Sequence, residues 1–132
     1  NRGLLESALS ELEYGKGAVV TICGTSALNL WVSAFLVPDD LIVAPHDCSG
    51  GTYRLFNTRD NKGDFKVQFF DQSDEQALDA ARAKKPKLIL LETPSSPLVR
   101  VVDIAAVCDK AKQVRALVAV DNTFLTPVFL KP

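Results

Sequence analysis

Four short segments of this sequence carry residue types that bind or activate small molecules: Ile22-Cys23-Gly24-Thr25-Ser26, Pro45-His46-Asp47-Cys48-Ser49-Gly50-Gly51, Glu92-Thr93-Pro94-Ser95-Ser96-Pro97 and Asp121-Asn122-Thr123. Each follows a short apolar run, and in doubly wound sheets ligands bind beyond the carboxyl ends of such strands. In the first segment a glycine links strand to helix, which frees the amides of Gly24, Thr25 and Ser26 to converge on an anion. The same residues also suit an ordinary tight turn with a Thr or Ser cap. Asp121 closes an apolar run, where an unpartnered carboxylate is expensive to desolvate. It requires a donor or cation, and a protonated pyridine nitrogen, the following turn or a lysine would each serve.

His46, Asp47 and Cys48 have ligand chemistry, but neighbouring side chains at a strand end point in different directions, so no metal site is expected. His46 is the single histidine, and no Gly-x-Ser-x-Gly nucleophile elbow accompanies it. The three cysteines, Cys23, Cys48 and Cys108, form no CxxC pair and read as reduced thiols.

The elements that must position these segments alternate along the chain. Five apolar, β-branched runs read as strands: Ala18 to Thr21, Leu41 to Ala44, Phe65 to Phe70, Leu88 to Leu91 and Leu117 to Val120. Most are continuously apolar, which suits a parallel sheet covered on both faces. Helices are expected at Leu4 to Tyr14, Ser26 to Leu36, Gly51 to Arg59, Asp74 to Lys84 and Asp103 to Val114, the fourth capped by Ser73 with Gln76 completing a capping box. In the last helix Ile104, Val107, Cys108 and Ala111 share one face, which reads as core. The expected fold is α/β: a doubly wound, mainly parallel five-stranded sheet with helices on both faces, forming one domain over residues 1–132. The strands at Phe65, Leu41, Leu88 and Leu117 should be neighbours in that order; the run at Ala18 could dock beside the Leu117 strand.

With 132 residues, 47% of them hydrophobic, there is enough apolar material for one core. A formal net charge of −1, from 15 basic and 16 acidic residues spread along the chain, leaves no footprint for nucleic acid or an anionic membrane surface. No apolar run reaches the roughly 18–20 residues needed to cross a bilayer, and a cytoplasmic location is expected. The lack of methionine, at position 1 included, reads as the interior of a longer chain or a processed one.

Taken together, Ala8 to Glu13, Val43-Ala44-Pro45-His46-Asp47-Cys48, Gly50-Gly51-Thr52-Tyr53-Arg54-Leu55, Pro86-Lys87-Leu88, Val101-Val102-Asp103-Ile104 and Val120-Asp121-Asn122-Thr123-Phe124 resemble the transsulfuration family of pyridoxal 5′-phosphate (PLP) enzymes, in particular the cystathionine γ-synthases. The resemblance covers essentially the whole chain. It implies a fold type I large domain in a cytoplasmic homo-oligomer that joins an activated homoserine ester to cysteine in methionine biosynthesis. It also implies that the amides of Gly24 and Thr25 hold the cofactor phosphate, that Asp121 contacts the pyridine nitrogen and that Thr123 lies beside the ring.

Two cofactor-facing positions depart from the family pattern. Ser49 stands where the family has an aromatic residue that stacks on the ring, and Ser96 stands where it has an asparagine near the phenolic oxygen. Ile22 and Arg115 are further departures. The lysine that binds the cofactor covalently in the family sits in a Ser-x-Thr-Lys motif, which these residues lack, and Lys131, followed by Pro132, has the wrong context to replace it. No catalytic residue is therefore assigned. The expectation is a fragment or derivative of such an enzyme, inactive alone, with weak or no PLP binding; the alternatives are an autonomous non-catalytic α/β domain and a weak phosphate- or PLP-binding module. Self-association is expected through the apolar stretch Phe124 to Leu130.

Overall fold

The computed structural model describes residues 1–132 as six helices and four strands. In chain order they are α1 (Arg2–Leu12), α2 (Gly24–Phe35), β1 (Leu41–Pro45), α3 (Gly50–Asn61), β2 (Lys66–Phe70), α4 (Glu75–Ala83), β3 (Leu88–Glu92), α5 (Ile104–Gln113), β4 (Leu117–Asp121) and α6 (Thr126–Phe129). The sheet order is β2-β1-β3-β4 and every pairing is parallel. That is the order expected for the runs at Phe65, Leu41, Leu88 and Leu117.

Period-two alternation in the central strands divides the core into two layers. Ile42 and Ala44 of β1, with Leu88 and Leu90 of β3, pack against Val32 of α2 and Phe56 of α3. On the opposite face Val43, Ile89 and Leu91 pack against Leu78 and Ala81 of α4 and Val107 and Ala111 of α5. All five residues of β3 are buried, which explains its unbroken apolar run. Each fully buried Leu, Ile or Phe contributes about 1.5–3 kcal/mol of transfer free energy, so this two-sided burial is what holds the strands in one plane.

The sheet has four strands, not five. The run Ala18 to Thr21 pairs with no strand; instead the Val20 amide donates to Glu6 Oε1 at 2.9 Å. Val19 and Ile22 are exposed, and α1 buries none of its residues. A β-branched run becomes a strand only where a neighbouring strand takes its amides and carbonyls, and no strand adjoins this one. The cap of α4 also differs from expectation. Ser73 gives both its amide and its hydroxyl to Asp71 Oδ1, so Asp74 becomes the N-cap and accepts the Gln76 amide. Asp103 caps α5 in the same way, accepting the Ala106 amide at 3.0 Å.

Candidate functional site

Because the sheet is parallel, all four strands end on one side, and β1, β3 and β4 there open into a cleft of about 300 Å³. Its lining comes from the start of α2 (Cys23, Gly24, Thr25, Leu28), the start of α3 (Ser49, Thr52), the segment ending and following β3 (Glu92, Pro94, Ser96) and the end of β4 (Asp121, Thr123, Phe124). All six residues singled out from the sequence, Gly24, Thr25, Ser49, Ser96, Asp121 and Thr123, therefore share one cavity. His46 does not join them: it is exposed, and its Nδ1 faces the Phe70 carbonyl at 3.1 Å.

One wall is the N-terminus of α2. Its N-cap, Cys23, makes no side-chain capping bond, so the first-turn amides have no side-chain acceptor of that kind. A methyl group built on Gly24 would meet nothing within 4 Å, so the backbone lies open to a ligand. The Cys23 thiol senses these donors: the Ser26 hydroxyl foremost, then the amides of Ser26 and Thr25, pull its pKa below the ordinary thiol value.

The floor is acidic. Glu92 and Asp121 sit opposite one another in the β3–β4 register. Asp121 Oδ1 accepts the amide of Thr123 at 3.1 Å and its hydroxyl as well, while Oδ2 accepts no hydrogen bond from the chain. Turn capping thus occupies one oxygen of the carboxylate and leaves the other without a partner in the chain. Glu92 is only 5% exposed. It accepts the Ser49 amide on Oε2 and the Ser96 amide on Oε1, each at 2.9 Å. Burial raises its pKa, the two amides counter that, and the nearby Asp121 and Asp47 charges add to the rise. Burial first, then the Glu92 charge, pushes the Cys48 thiol up to about 12. No lysine, arginine or histidine lines the cleft.

Of the other lining residues, Cys23, Glu92 and Pro94 lie in the segments singled out from the sequence but carried no assigned role there, and Leu28, Thr52 and Phe124 lie outside those segments. Glu92 carried a usable signal: like Asp121, it is a carboxylate that closes a continuously apolar strand. Thr52 lies a helical turn beyond Ser49, and the hydroxyls of the two meet at 3.1 Å. Lys131 lies away from the cleft with its ammonium 4.1 Å from the centre of the Tyr14 ring.

The chain is similar to known proteins in both sequence and fold. A family model described as Cys/Met metabolism PLP-dependent enzyme matches residues 1–132. The chain is 56% identical over 131 residues to cystathionine gamma-synthase of Escherichia coli K12, and 40% identical over 134 residues to cystathionine beta-lyase MetC of Staphylococcus haemolyticus. Each match takes in 99–100% of this chain and 34% of the relative, so the chain spans about a third of their length. The crystal structure of cystathionine gamma synthase from Xanthomonas oryzae pv. oryzae in complex with cystathionine superposes with a TM-score of 0.94 at 50% identity, covering 96% of this chain and 33% of that one. The donor set also fits the family's cofactor, since an open helix N-terminus suits its phosphate and a carboxylate oxygen unused within the chain suits its ring nitrogen. By descent and by fold, this chain belongs to the Cys/Met metabolism family of PLP-dependent enzymes.

Proposed function

We propose that this chain is the cofactor-cradling part of a PLP enzyme of the cystathionine γ-synthase type, which joins an activated homoserine ester to cysteine. The observation that carries the reading is the polarity of the cleft, with an open helix N-terminus on one wall, two carboxylates on the floor and no cationic side chain between them. Such a site selects a ligand that is anionic at one end and protonated at the other. The amides of Gly24 and Thr25 hold the phosphate, Asp121 Oδ2 holds the ring-nitrogen proton, and Thr123 lies beside the ring. Ser49 and Ser96 flank it, contributing hydroxyls where the relatives stack and reach further. When bound, PLP supplies an electron sink for chemistry at the substrate amino acid.

No lysine lines the cleft, so this chain alone offers no amine there and binds the cofactor without turning over substrate. Phe124, at the cleft, and Val128 and Phe129, further along the chain, are exposed, which supports association of copies through the Phe124 to Leu130 stretch. Absorbance titration with PLP, followed by borohydride reduction and mass measurement, tests the reading. Saturable binding without a cleft adduct is expected, with Asp121→Ala weakening it about tenfold or more through loss of a charge-assisted hydrogen bond. No saturable binding removes the cofactor reading. PLP-dependent turnover of an activated homoserine ester that is lost in Asp121→Ala overturns the inactivity.

A further inference from the structure

We infer that Glu92 is a positioning residue: its carboxylate ties the Ser49 amide to the Ser96 amide and so sets the gap that a planar ring enters. The inference rests on the reading above for the identity of the ring and on geometry for everything else.

Glu92 is held from behind before it holds anything itself. Gln72, also 5% exposed, donates from Nε2 to the Glu92 carbonyl at 2.6 Å and accepts the Glu92 amide on Oε1 at 3.2 Å. With its backbone fixed at the end of β3, the side chain reaches two segments far apart in sequence. Ser49 begins α3, and Ser96 lies on the connection from β3 to α5. Each carboxylate oxygen takes one amide at 2.9 Å.

The residue type matters. Two N–H donors approaching different oxygens are both satisfied only by a carboxylate, because a glutamine at this position turns an NH₂ group toward one of them. Burying this carboxylate is costly in general, and the groups facing it make it costlier. They are Asp121 from β4, Asp47 and Cys48 from the segment after β1, and no cation; Arg100 is turned to Asp71, at 2.7 Å, and toward Asp47. A residue with only a packing role gains nothing from a negative charge here, whereas a tie between two backbone amides requires it.

Two measurements test the tie. In the unmodified chain without ligand, the Ser49 and Ser96 amide protons, followed by NMR through the carboxylate range, should move together with one inflection set by Glu92. Both inflections should vanish in Glu92→Gln. In the same variant the dissociation constants for PLP and for pyridoxal should rise by a common factor of about ten, since one charge-assisted hydrogen bond is lost, while that for inorganic phosphate stays unchanged. Separate inflections for the two amides overturn the inference, as does PLP affinity that survives Glu92→Gln. Equal weakening toward inorganic phosphate also overturns it, because the damage then extends to the α2 wall. If the unmodified chain binds no PLP, the cofactor reading falls, and the paired inflection alone decides the tie.

Discussion

The two faces of the sheet treat their helix N-termini differently. On one face α4 and α5 begin with aspartates, Asp74 and Asp103, whose side chains accept first-turn amides. On the other, α2 and α3 begin at Cys23 and Ser49 with no capping bond from either side chain, and both starts border the cleft. Leaving a helix start uncapped costs about 0.5–2 kcal/mol. One face thus closes its helix starts with the chain's own carboxylates, while the other leaves its starts without a side-chain cap at the edge of the cleft.

The largest expected effect is at two cysteines, Cys23 at the start of α2 and Cys48 just before α3. The Cys23 thiol is exposed and its pKa lies below the ordinary value, while that of the buried Cys48 is pushed up to about 12. At neutral pH Cys23 should react with iodoacetamide about a thousandfold or more faster than Cys48, since only thiolate is nucleophilic. Inorganic phosphate or PLP should slow Cys23 labelling by occupying the same donors. Peptide mapping by mass spectrometry reads both rates. Similar rates at the two thiols, or no protection by either anion, would count against an anion-binding start to α2.

Next in size is a transfer of the cap from one face to the other. Cys23→Asp supplies α2 with the acceptor that α4 and α5 already have, so it should leave the fold at least as stable while weakening PLP binding about tenfold or more through like-charge repulsion and blocked amides. Asp103→Ala should do the reverse, costing about 1 kcal/mol of stability at unchanged PLP affinity. Urea denaturation and PLP titration on each variant check the pair. If both variants shift both quantities alike, the two faces do not divide the labour as described.

The central part of this architecture was legible in the sequence because burial there leaves a local trace. The unbroken apolar runs of β1 and β3 gave parallel strands, and their order followed from right-handed crossovers and family likeness. Asp103 was legible as a cap, being followed by a clear helical stripe. The run at Ala18 was misleading because β-branching reports what a strand tolerates, while a neighbour to pair with is a tertiary fact. Ser73 misled because Asp71, two residues earlier, competes for its donors. In the site, Asp121 was legible as a carboxylate closing an apolar strand. Glu92 obeys the same rule, but what it does depends on amide partners that lie 43 and 4 residues away, a tertiary arrangement with no local trace.

A smaller effect is expected at the ring walls, where the departures from family pattern sit. Ser49→Tyr with Ser96→Asn should tighten PLP about fivefold to tenfold, in line with the roughly 0.5–1.5 kcal/mol of an aromatic stacking contact. The gain should disappear when Asp121→Ala is added, because the ring then loses its orienting contact. A gain that persists without Asp121 would mean that the ring lies elsewhere.

The smallest and most discriminating effect is the pH dependence of stability, where one carboxylate from each side of the comparison pulls in an opposite direction. Asp71, between β2 and the capped α4, has its pKa lowered from 3.8 to about 2, chiefly by the Ser73 hydroxyl, then by the Ser73 amide and Arg100. A depressed acid stabilises the fold in its ionised form, so this contribution is complete above the unfolded value near 3.8 and is lost as pH falls toward about 2. Glu92, in the cleft, has its pKa raised above 4.5, with burial the first cause. A raised acid makes the fold bind its proton more tightly than the unfolded chain does, so ionised Glu92 opposes folding. That opposition is complete above the raised pKa and is relieved as pH falls through it to 4.5. Acidification from neutrality should therefore first relieve the cleft and only afterwards weaken the β2–α4 corner. Urea midpoints against pH resolve the two steps: Asp71→Asn should flatten the limb below about pH 4, and Glu92→Gln should remove the relief above it while leaving that limb in place. A single monotonic loss of stability from neutral pH downward, unchanged by Glu92→Gln, would mean that the cleft carboxylate is not held against its own charge.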